Sequence, residues 1–139
     1  MNVLIVEDNT TTAYLLKQYL EAHGYQATQS GYPDKALQLL RLNQFDAVVL
    51  DYILPEHDGL SVLRVMRQDP RITNKALPVV VVTGLDPQTV RSFQGALHSY
   101  DPVSVLCKPV DPAKIVSEIQ RLSPPTDDTP LVPDPRESE

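Results

Sequence analysis

Short apolar runs alternate along this chain with stretches in which apolar residues recur every three or four positions. The first pattern predicts strands that are buried on both faces, and the second predicts amphipathic helices. Five runs have the strand pattern, at residues 2–6, 25–30, 47–50, 77–82 and 103–107. A stretch with the helical pattern follows each run, so the predicted order is βαβαβαβαβα.

Capping residues support the predicted helices. The polar stretch 9–12 offers N-cap candidates, Pro33 suits a first helical position, and Asp58, Asp86 and Asp111 precede the last three helices. The fourth helix, which begins at Asp86-Pro87, has a poor apolar stripe. Among the residues expected to face the core are Leu15, Leu16 and Val65.

This alternation implies right-handed crossovers and a parallel sheet with helices on both faces. The predicted fold is therefore α/β and doubly wound, with five strands and five helices in one domain over residues 1–122. Residues 123–139 contain five of the chain's 13 prolines. They are predicted to be a Pro-rich acidic linker or disordered tail.

Composition narrows the class of protein. The 139 residues are 42% hydrophobic, enough for a single core. The net charge is −6, of which the tail supplies −4, and no basic patch is present, so direct nucleic acid binding by this segment is not expected. No membrane span or signal peptide is evident, which predicts a cytoplasmic location without membrane association. The single cysteine, Cys107, excludes an internal disulfide.

Polar residues end four of the five predicted strands. Glu7 and Asp8 follow the first strand, Asp51 the third, Thr83 the fourth and Lys108 the fifth. Ligands bind outside the carboxyl ends of such strands, so these side chains are candidates for one site. Clustered carboxylates repel one another unless a cation lies between them, and ligands that are all oxygen favour Mg²⁺. A carboxylate nucleophile, a metal, a lysine and a hydroxyl meet the requirements for placing a phosphoryl group on Asp51.

These residues lie in motifs that are highly specific in combination. With them, the chain resembles the receiver domains of two-component response regulators, which have a flavodoxin-like fold with the strand order 2-1-3-4-5. The resemblance covers residues 2–122. It is carried by Leu4-Ile5-Val6-Glu7-Asp8, Val48-Val49-Leu50-Asp51-Tyr52-Ile53-Leu54-Pro55, Asp58-Gly59, Val79-Val80-Val81-Val82-Thr83-Gly84 and Cys107-Lys108-Pro109.

The resemblance implies a metal site and a phosphoacceptor. Asp51 is similar to the family's phosphoacceptor and also to one of its metal ligands. Asp8 corresponds to the metal-binding acid, and Glu7 helps through a water molecule. The backbone carbonyl of Ile53 corresponds to a further ligand of the Mg²⁺ ion.

The remaining positions correspond to the catalytic and switching groups. Thr83 matches the hydroxyl that rotates towards the phosphoryl group, and Lys108 matches the family's lysine, whose bond to Pro109 is usually cis. The chain departs from the family three residues before the lysine. The family often has Tyr or Phe there, whereas this chain has Val105, and Tyr100 lies at the wrong spacing to replace it. We therefore expect coupling to any partner to be weaker or differently routed.

The implied function is a phosphorylation-dependent switch in a two-component phosphorelay. Asp51 would accept a phosphoryl group from a histidine kinase or a histidine phosphotransfer protein. The domain would not be an enzyme beyond catalysing its own phosphorylation and dephosphorylation. The resemblance also implies a downstream output domain or partner protein. It further allows a second copy of the chain as a partner, in a phosphorylation-dependent dimer.

The alternative is a pseudo-receiver, an interaction module that no longer takes phosphate. That class predicts loss of the site residues, and all of them are present. Two other classes on related folds are excluded by particular residues. A haloacid-dehalogenase-like phosphatase needs a second aspartate where Ile53 stands, and a flavodoxin needs a phosphate-binding loop where Glu7 and Asp8 would repel the phosphate.

Overall fold

The structure is a computed structural model, and it describes residues 1–123. The predicted tail therefore lies outside the described residues, except for Ser123. Within the described part, the strands are β1 Asn2–Val6, β2 Gln26–Ser30, β3 Ala47–Asp51, β4 Ile53–Leu54, β5 His57–Asp58, β6 Val79–Thr83 and β7 Val103–Cys107. The helices are α1 Thr10–Ala22, α2 Pro33–Leu42, α3 Gly59–Gln68, α4 Pro87–His98 and α5 Pro112–Leu122.

Five of the strands form one parallel sheet in the order β2-β1-β3-β6-β7. The chain moves from β1 outward to β2, crosses back to β3, and then continues to β6 and β7. The strand order therefore reverses between β1 and β3, and a ligand crevice is expected outside the carboxyl ends of these two strands. The order confirms the predicted flavodoxin-like topology, with β6 and β7 as its fourth and fifth strands.

A small hairpin, which the apolar pattern did not predict, follows β3. Its strands β4 and β5 pair antiparallel, Ile53 with Asp58 and Leu54 with His57. Between them, Pro55 precedes Glu56, which has a φ of 66°, an arrangement typical of a type II turn. The hairpin occupies the segment between Asp51 and α3.

Two helical layers cover the sheet. Helices α2, α3 and α4 pack on one face, and α1 and α5 pack on the other. Successive residues of a strand point to opposite faces, so Leu4 contributes to the first layer and Ile5 to the second. Strands β3 and β6 are buried along their whole length, as the apolar runs predicted. In the described part of the chain, no helix is long and apolar enough to cross a membrane.

The predicted helix starts are confirmed. The side chains of Asn9, Asp58, Asp86 and Asp111 each accept a hydrogen bond from a backbone N–H in the first turn of their helix. The poor stripe at 87–98 nevertheless forms α4. Strong capping by Asp86, whose carboxylate also accepts from the Thr89 hydroxyl at 2.7 Å, helps to offset its sparse apolar contacts.

Two residues predicted to face the core are instead exposed. Leu15 is 61% exposed and Val65 is 36% exposed. In each helix, a residue lies about 100° around the axis from the next one. In α1 the buried positions are Ala13, Leu16 and Leu20, which leaves the neighbouring Leu15 beside the packed face and not in its centre. In α3, Val62 is likewise one of the buried residues, and Val65 lies beside the packed face.

Candidate functional site

The functional side chains converge at the carboxyl edge of the sheet. Glu7 and Asp8 leave β1, Asp51 ends β3, Thr83 ends β6, and Lys108 follows β7. Because all these strands are parallel, their ends meet at one edge. The backbone N–H of Lys108 donates to the carbonyl of Thr83 at 2.7 Å, which fixes the start of the loop after β7 against the end of β6. The Lys108–Pro109 bond is cis, as predicted.

Three carboxylates form a tight cluster at this edge. One oxygen from each of Glu7, Asp8 and Asp51 lies within 4.8 Å of the others. Glu7 and Asp51 are buried, whereas Asp8 is exposed. The cluster therefore has two acids at the floor of the site and one at its rim.

Lys108 bridges the two buried acids. Its Nζ donates to Glu7 Oε1 at 3.3 Å and to Asp51 Oδ2 at 3.2 Å. Burial alone would lower the pKa of Lys108, but the charges of Asp51 and Glu7 outweigh it and raise that pKa. The lysine is therefore a permanent cation at neutral pH. One cation between two acids still leaves the site with a net negative charge.

The environment of the site raises the pKa of Glu7. Burial and the nearby Asp51 carboxylate raise the pKa of Glu7 from 4.5 to about 7, and Lys108 offsets only part of this rise. Glu7 Oε2 is buried and has no hydrogen-bond partner among the described residues. A divalent cation would satisfy this oxygen and neutralise the carboxylates, and the oxygen-only donor set suits a hard ion. The cluster is therefore compatible with Mg²⁺.

The raised pKa of Glu7 predicts an unusual pH dependence of stability. Because the folded protein holds this proton more tightly than the unfolded chain, metal-free stability should fall as the pH rises from about 4.5 through 7. Between pH 5 and pH 8 we expect the free energy of unfolding to drop by about 2 kcal/mol.

Urea denaturation in chelator-treated buffer measures this drop, and Glu7→Gln is the matched variant because it cannot ionise. The variant should lose the pH-dependent difference. An equal drop in Glu7→Gln would show that another group is responsible.

The two oxygens of Asp51 have different partners. Oδ2 accepts from Lys108, and Oδ1 accepts from the backbone N–H of Ile53 at 3.3 Å. The Ile53 backbone is thus next to the carboxylate, while its side chain is 55% exposed. A role for the Ile53 carbonyl as a metal ligand remains a prediction.

Thr83 is fully buried at the end of β6. Its Oγ1 accepts a hydrogen bond from the backbone N–H of Leu85 at 3.1 Å. A hydroxyl can accept and donate at the same time, so its hydrogen remains available for a second partner. The residue is in the strand next to β3, where Val82 pairs with Asp51.

Tyr100 cannot replace the aromatic residue missing at position 105. It precedes β7 and therefore lies at the amino edge of the sheet, opposite the acidic cluster. There its hydroxyl accepts from Arg64 Nε at 3.3 Å. Val105 packs against the core layer formed with α2, α3 and α4.

An apolar groove between α1 and α5, which sequence reasoning missed, opens beside the acidic cluster. The cavity has a volume of about 570 Å³ and reaches from Asp51 and Lys108 to the two helices. Its apolar lining includes Leu15, Leu16, Val110, Pro112 and Ile115. The adjacent pair Leu15 and Leu16 is the signal that could have indicated it, because neighbouring residues of a helix point about 100° apart and cannot both lie at the centre of the packed face of α1.

Comparisons with known proteins agree with this geometry. The model of the response regulator receiver domain family matches residues 3–120. The chain belongs to this family, which confirms the resemblance. It is therefore a receiver domain of the kind found in two-component response regulators. Receiver domains are generally non-enzymatic signalling modules.

Solved structures of receiver domains have the same fold. The receiver domain of the Francisella response regulator 1452 is 26% identical, with a TM-score of 0.75 over 87% of this chain and 94% of that chain. A CheY-like receiver domain from Methylobacillus flagellatus is 28% identical, with a TM-score of 0.75 over 88% of this chain and 98% of that chain. A response regulator from Burkholderia pseudomallei is 25% identical, with a TM-score of 0.71 over 86% of this chain and 66% of that chain. That structure was solved with a phosphorylated aspartic acid, a calcium ion and citrate.

Curated relatives are longer than this chain. The transcriptional regulatory protein SrrA of Staphylococcus aureus is 28% identical over 122 residues, which are 86% of this chain and 46% of SrrA. The chain thus spans about half the length of the curated relatives it matches.

Proposed function

We propose that this domain is a phosphorylation-dependent switch whose phosphoacceptor is Asp51. The observation that carries the proposal is the position of the Asp51 carboxylate. It accepts a hydrogen bond from Lys108 at 3.2 Å and belongs to an acidic cluster that is compatible with Mg²⁺. No structural need explains three carboxylates held this close together. A site that handles phosphoryl groups explains both the acids and the lysine between them.

The phosphodonor is a phosphohistidine on a histidine kinase or a histidine phosphotransfer protein. A carboxylate oxygen of Asp51 attacks the phosphorus, an O–P bond forms, and the N–P bond to the donor imidazole breaks. The leaving imidazole takes a proton from solvent. Lys108 neutralises charge on the phosphoryl oxygens, and the Thr83 hydroxyl can donate to another of them. In the later hydrolysis, water attacks the phosphorus, the bond between phosphorus and the Asp51 oxygen breaks, and inorganic phosphate leaves. A proton from the water passes to solvent, and the Asp51 carboxylate is restored.

Asp8, Asp51 and the carbonyl of Ile53 would hold the Mg²⁺ ion, with Glu7 assisting through water. The ion supplies positive charge that lets an anionic carboxylate and an anionic phosphoryl group approach each other. Support comes from Glu7, since a nearby cation would lower its raised pKa and would, directly or through a bound water, satisfy its buried Oε2. The phosphorylated aspartic acid and calcium ion of the Burkholderia relative also support this assignment.

The groove between α1 and α5 supports docking of the donor protein. A phosphohistidine must come within bonding distance of Asp51, so its protein must bind next to the site. The groove opens there and is mainly apolar, with Leu15 61% exposed at its side. Such a surface suits the apolar face of a donor helix. An output domain or partner protein would read the result, consistent with the greater length of the curated relatives.

Incorporation of phosphate from acetyl phosphate tests this function. Intact-mass analysis should find one phosphoryl group per chain when Mg²⁺ is present and none when the metal is chelated. Asp34→Asn, which changes an exposed acid on α2, is the control and should behave like the wild type. If neither acetyl phosphate nor phosphoramidate modifies the wild type with Mg²⁺ present, the switch is wrong and the pseudo-receiver is favoured.

A further inference from the structure

The residue that follows Asp51 contacts α4 directly. The rings of Tyr52 and Phe93 are stacked, with their centroids 4.3 Å apart and their planes within 6° of parallel. Phe93 is in the middle of α4. A single side-chain contact therefore joins the segment next to the phosphoacceptor to a helix on the surface of the domain.

The backbone of Tyr52 is held on both sides. Its N–H donates to the carbonyl of Val82 in β6 at 2.9 Å, and its carbonyl accepts from the N–H of Gly59 at the start of α3 at 2.6 Å. A Cβ atom at Gly59 would lie only 3.0 Å from the Cα of Tyr52, so the close approach of α3 requires glycine. The position of the Tyr52 ring thus follows the backbone between Asp51 and Ile53.

The two residues that flank Tyr52 are joined by a hydrogen bond to the reactive carboxylate. Asp51 precedes Tyr52, and the N–H of Ile53, which follows it, donates to Asp51 Oδ1. Conversion of the carboxylate to an acyl phosphate makes one of its oxygens the bridging oxygen of a mixed anhydride, so the acyl group becomes neutral and the negative charge lies on the phosphoryl oxygens. The N–H of Ile53 then faces a neutral acyl group in place of an ionised carboxylate, so the hydrogen bond between the two residues that flank Tyr52 weakens.

Helix α4 has few other apolar contacts. Its buried residues are Val90 and Leu97, and Phe93 lies between them at helical spacing on the same face, packed against the core. Phe93 is therefore one of three apolar residues on the packed face of α4. Val105, on the neighbouring strand β7, has no ring that could stack in its place.

We propose that the Tyr52–Phe93 stack couples phosphorylation of Asp51 to the position of α4. The proposal rests on the function proposed above, because it requires Asp51 to be phosphorylated. A shift of the backbone around Tyr52 moves or breaks the stack and changes how firmly α4 is held. Because such coupling is reciprocal, a partner that binds α4 would in turn change the stability of the phosphorylated state.

Hydrogen exchange at the α4 amides, measured with and without phosphorylation, tests this coupling. In the wild type, acetyl phosphate and Mg²⁺ should change the exchange rates across residues 90–98. Phe93→Leu should be phosphorylated to the same extent, but its phosphorylation-dependent change in exchange should be on the order of fivefold smaller. Tyr52→Leu, which removes the other ring without a substitution in α4, should have the same effect.

Two controls separate coupling from loss of packing. Tyr52→Phe keeps the ring and should keep the wild-type response. Phe45→Leu alters the chain's other phenylalanine, which also packs against this core layer but is not in α4, and should keep it too. If phosphorylation changes the α4 exchange rates in Phe93→Leu and in Tyr52→Leu as much as in the wild type, the proposed coupling is wrong. The proposed phosphorylation of Asp51 would still stand. A wild type that is not phosphorylated would overturn the proposed function and this inference with it.

Discussion

Replacing Asp51 with asparagine should abolish phosphoryl incorporation and also make the domain more stable. The amide is not a nucleophile for phosphorus, so phosphorylation should be lost completely. At neutral pH the change removes one of two buried acids that share Lys108, and the remaining Glu7–Lys108 pair is balanced. The pKa of Glu7 should fall, because Asp51 contributes to its rise. We expect the free energy of unfolding in metal-free buffer at pH 7.5 to increase by about 1 kcal/mol.

Urea denaturation and intact-mass analysis of the same preparation measure both effects of Asp51→Asn. Asp34→Asn is again the matched control and should change neither quantity, since Asp34 is exposed. A less stable Asp51→Asn protein would contradict the electrostatic description of the site. It would mean that the attraction between Asp51 and Lys108 exceeds the repulsion between Asp51 and Glu7.

Replacing Lys108 with alanine should slow phosphorylation by acetyl phosphate about 100-fold in saturating Mg²⁺. The lysine is the cation nearest the nucleophile in the described part of the chain, 3.2 Å from Asp51 Oδ2. Without it, the negative charge on the phosphoryl oxygens has one fewer partner during transfer. Quenched-flow sampling followed by mass analysis gives the rate.

Lys114→Ala is the control for the loss of a lysine. Lys114 is also near the beginning of α5, but it pairs with Glu118 at 3.5 Å and its side chain is 58% exposed. This variant should be phosphorylated at the wild-type rate. A Lys108→Ala protein that reacts as fast as Lys114→Ala would remove Lys108 from the transfer chemistry and restrict it to a structural role.

Much of the fold could be predicted because it depends on short-range patterns. The runs 47–50 and 79–82 are apolar without interruption, and a strand buried on both faces requires that. Alternation with helices then implied the parallel sheet. The hairpin at Ile53–Asp58 could not be predicted in this way, because two-residue strands have no periodicity. The exposure of Leu15 and Val65 depends on how each helix is rotated on the sheet, which the sequence alone does not determine.

The candidate site was predictable to the extent that topology determines it. Parallel strands deliver their last residues to one edge, so Glu7, Asp8, Asp51 and Lys108 were expected together, and the structure brings them together. The bridging position of Lys108 depends on tertiary geometry. So does the stack between Tyr52 and Phe93, two residues 41 positions apart in sequence with no shared motif.

The location of the phosphoryl group tests the central claim most directly. Acyl phosphates are reduced by borohydride, which converts a phosphorylated aspartate into homoserine, and tandem mass spectrometry of the peptides then identifies the residue. After treatment with acetyl phosphate and Mg²⁺, homoserine should appear at position 51 and nowhere else. Homoserine at position 8, or an unmodified Asp51 in protein that has gained a phosphoryl group, would contradict the assignment of Asp51 as the phosphoacceptor.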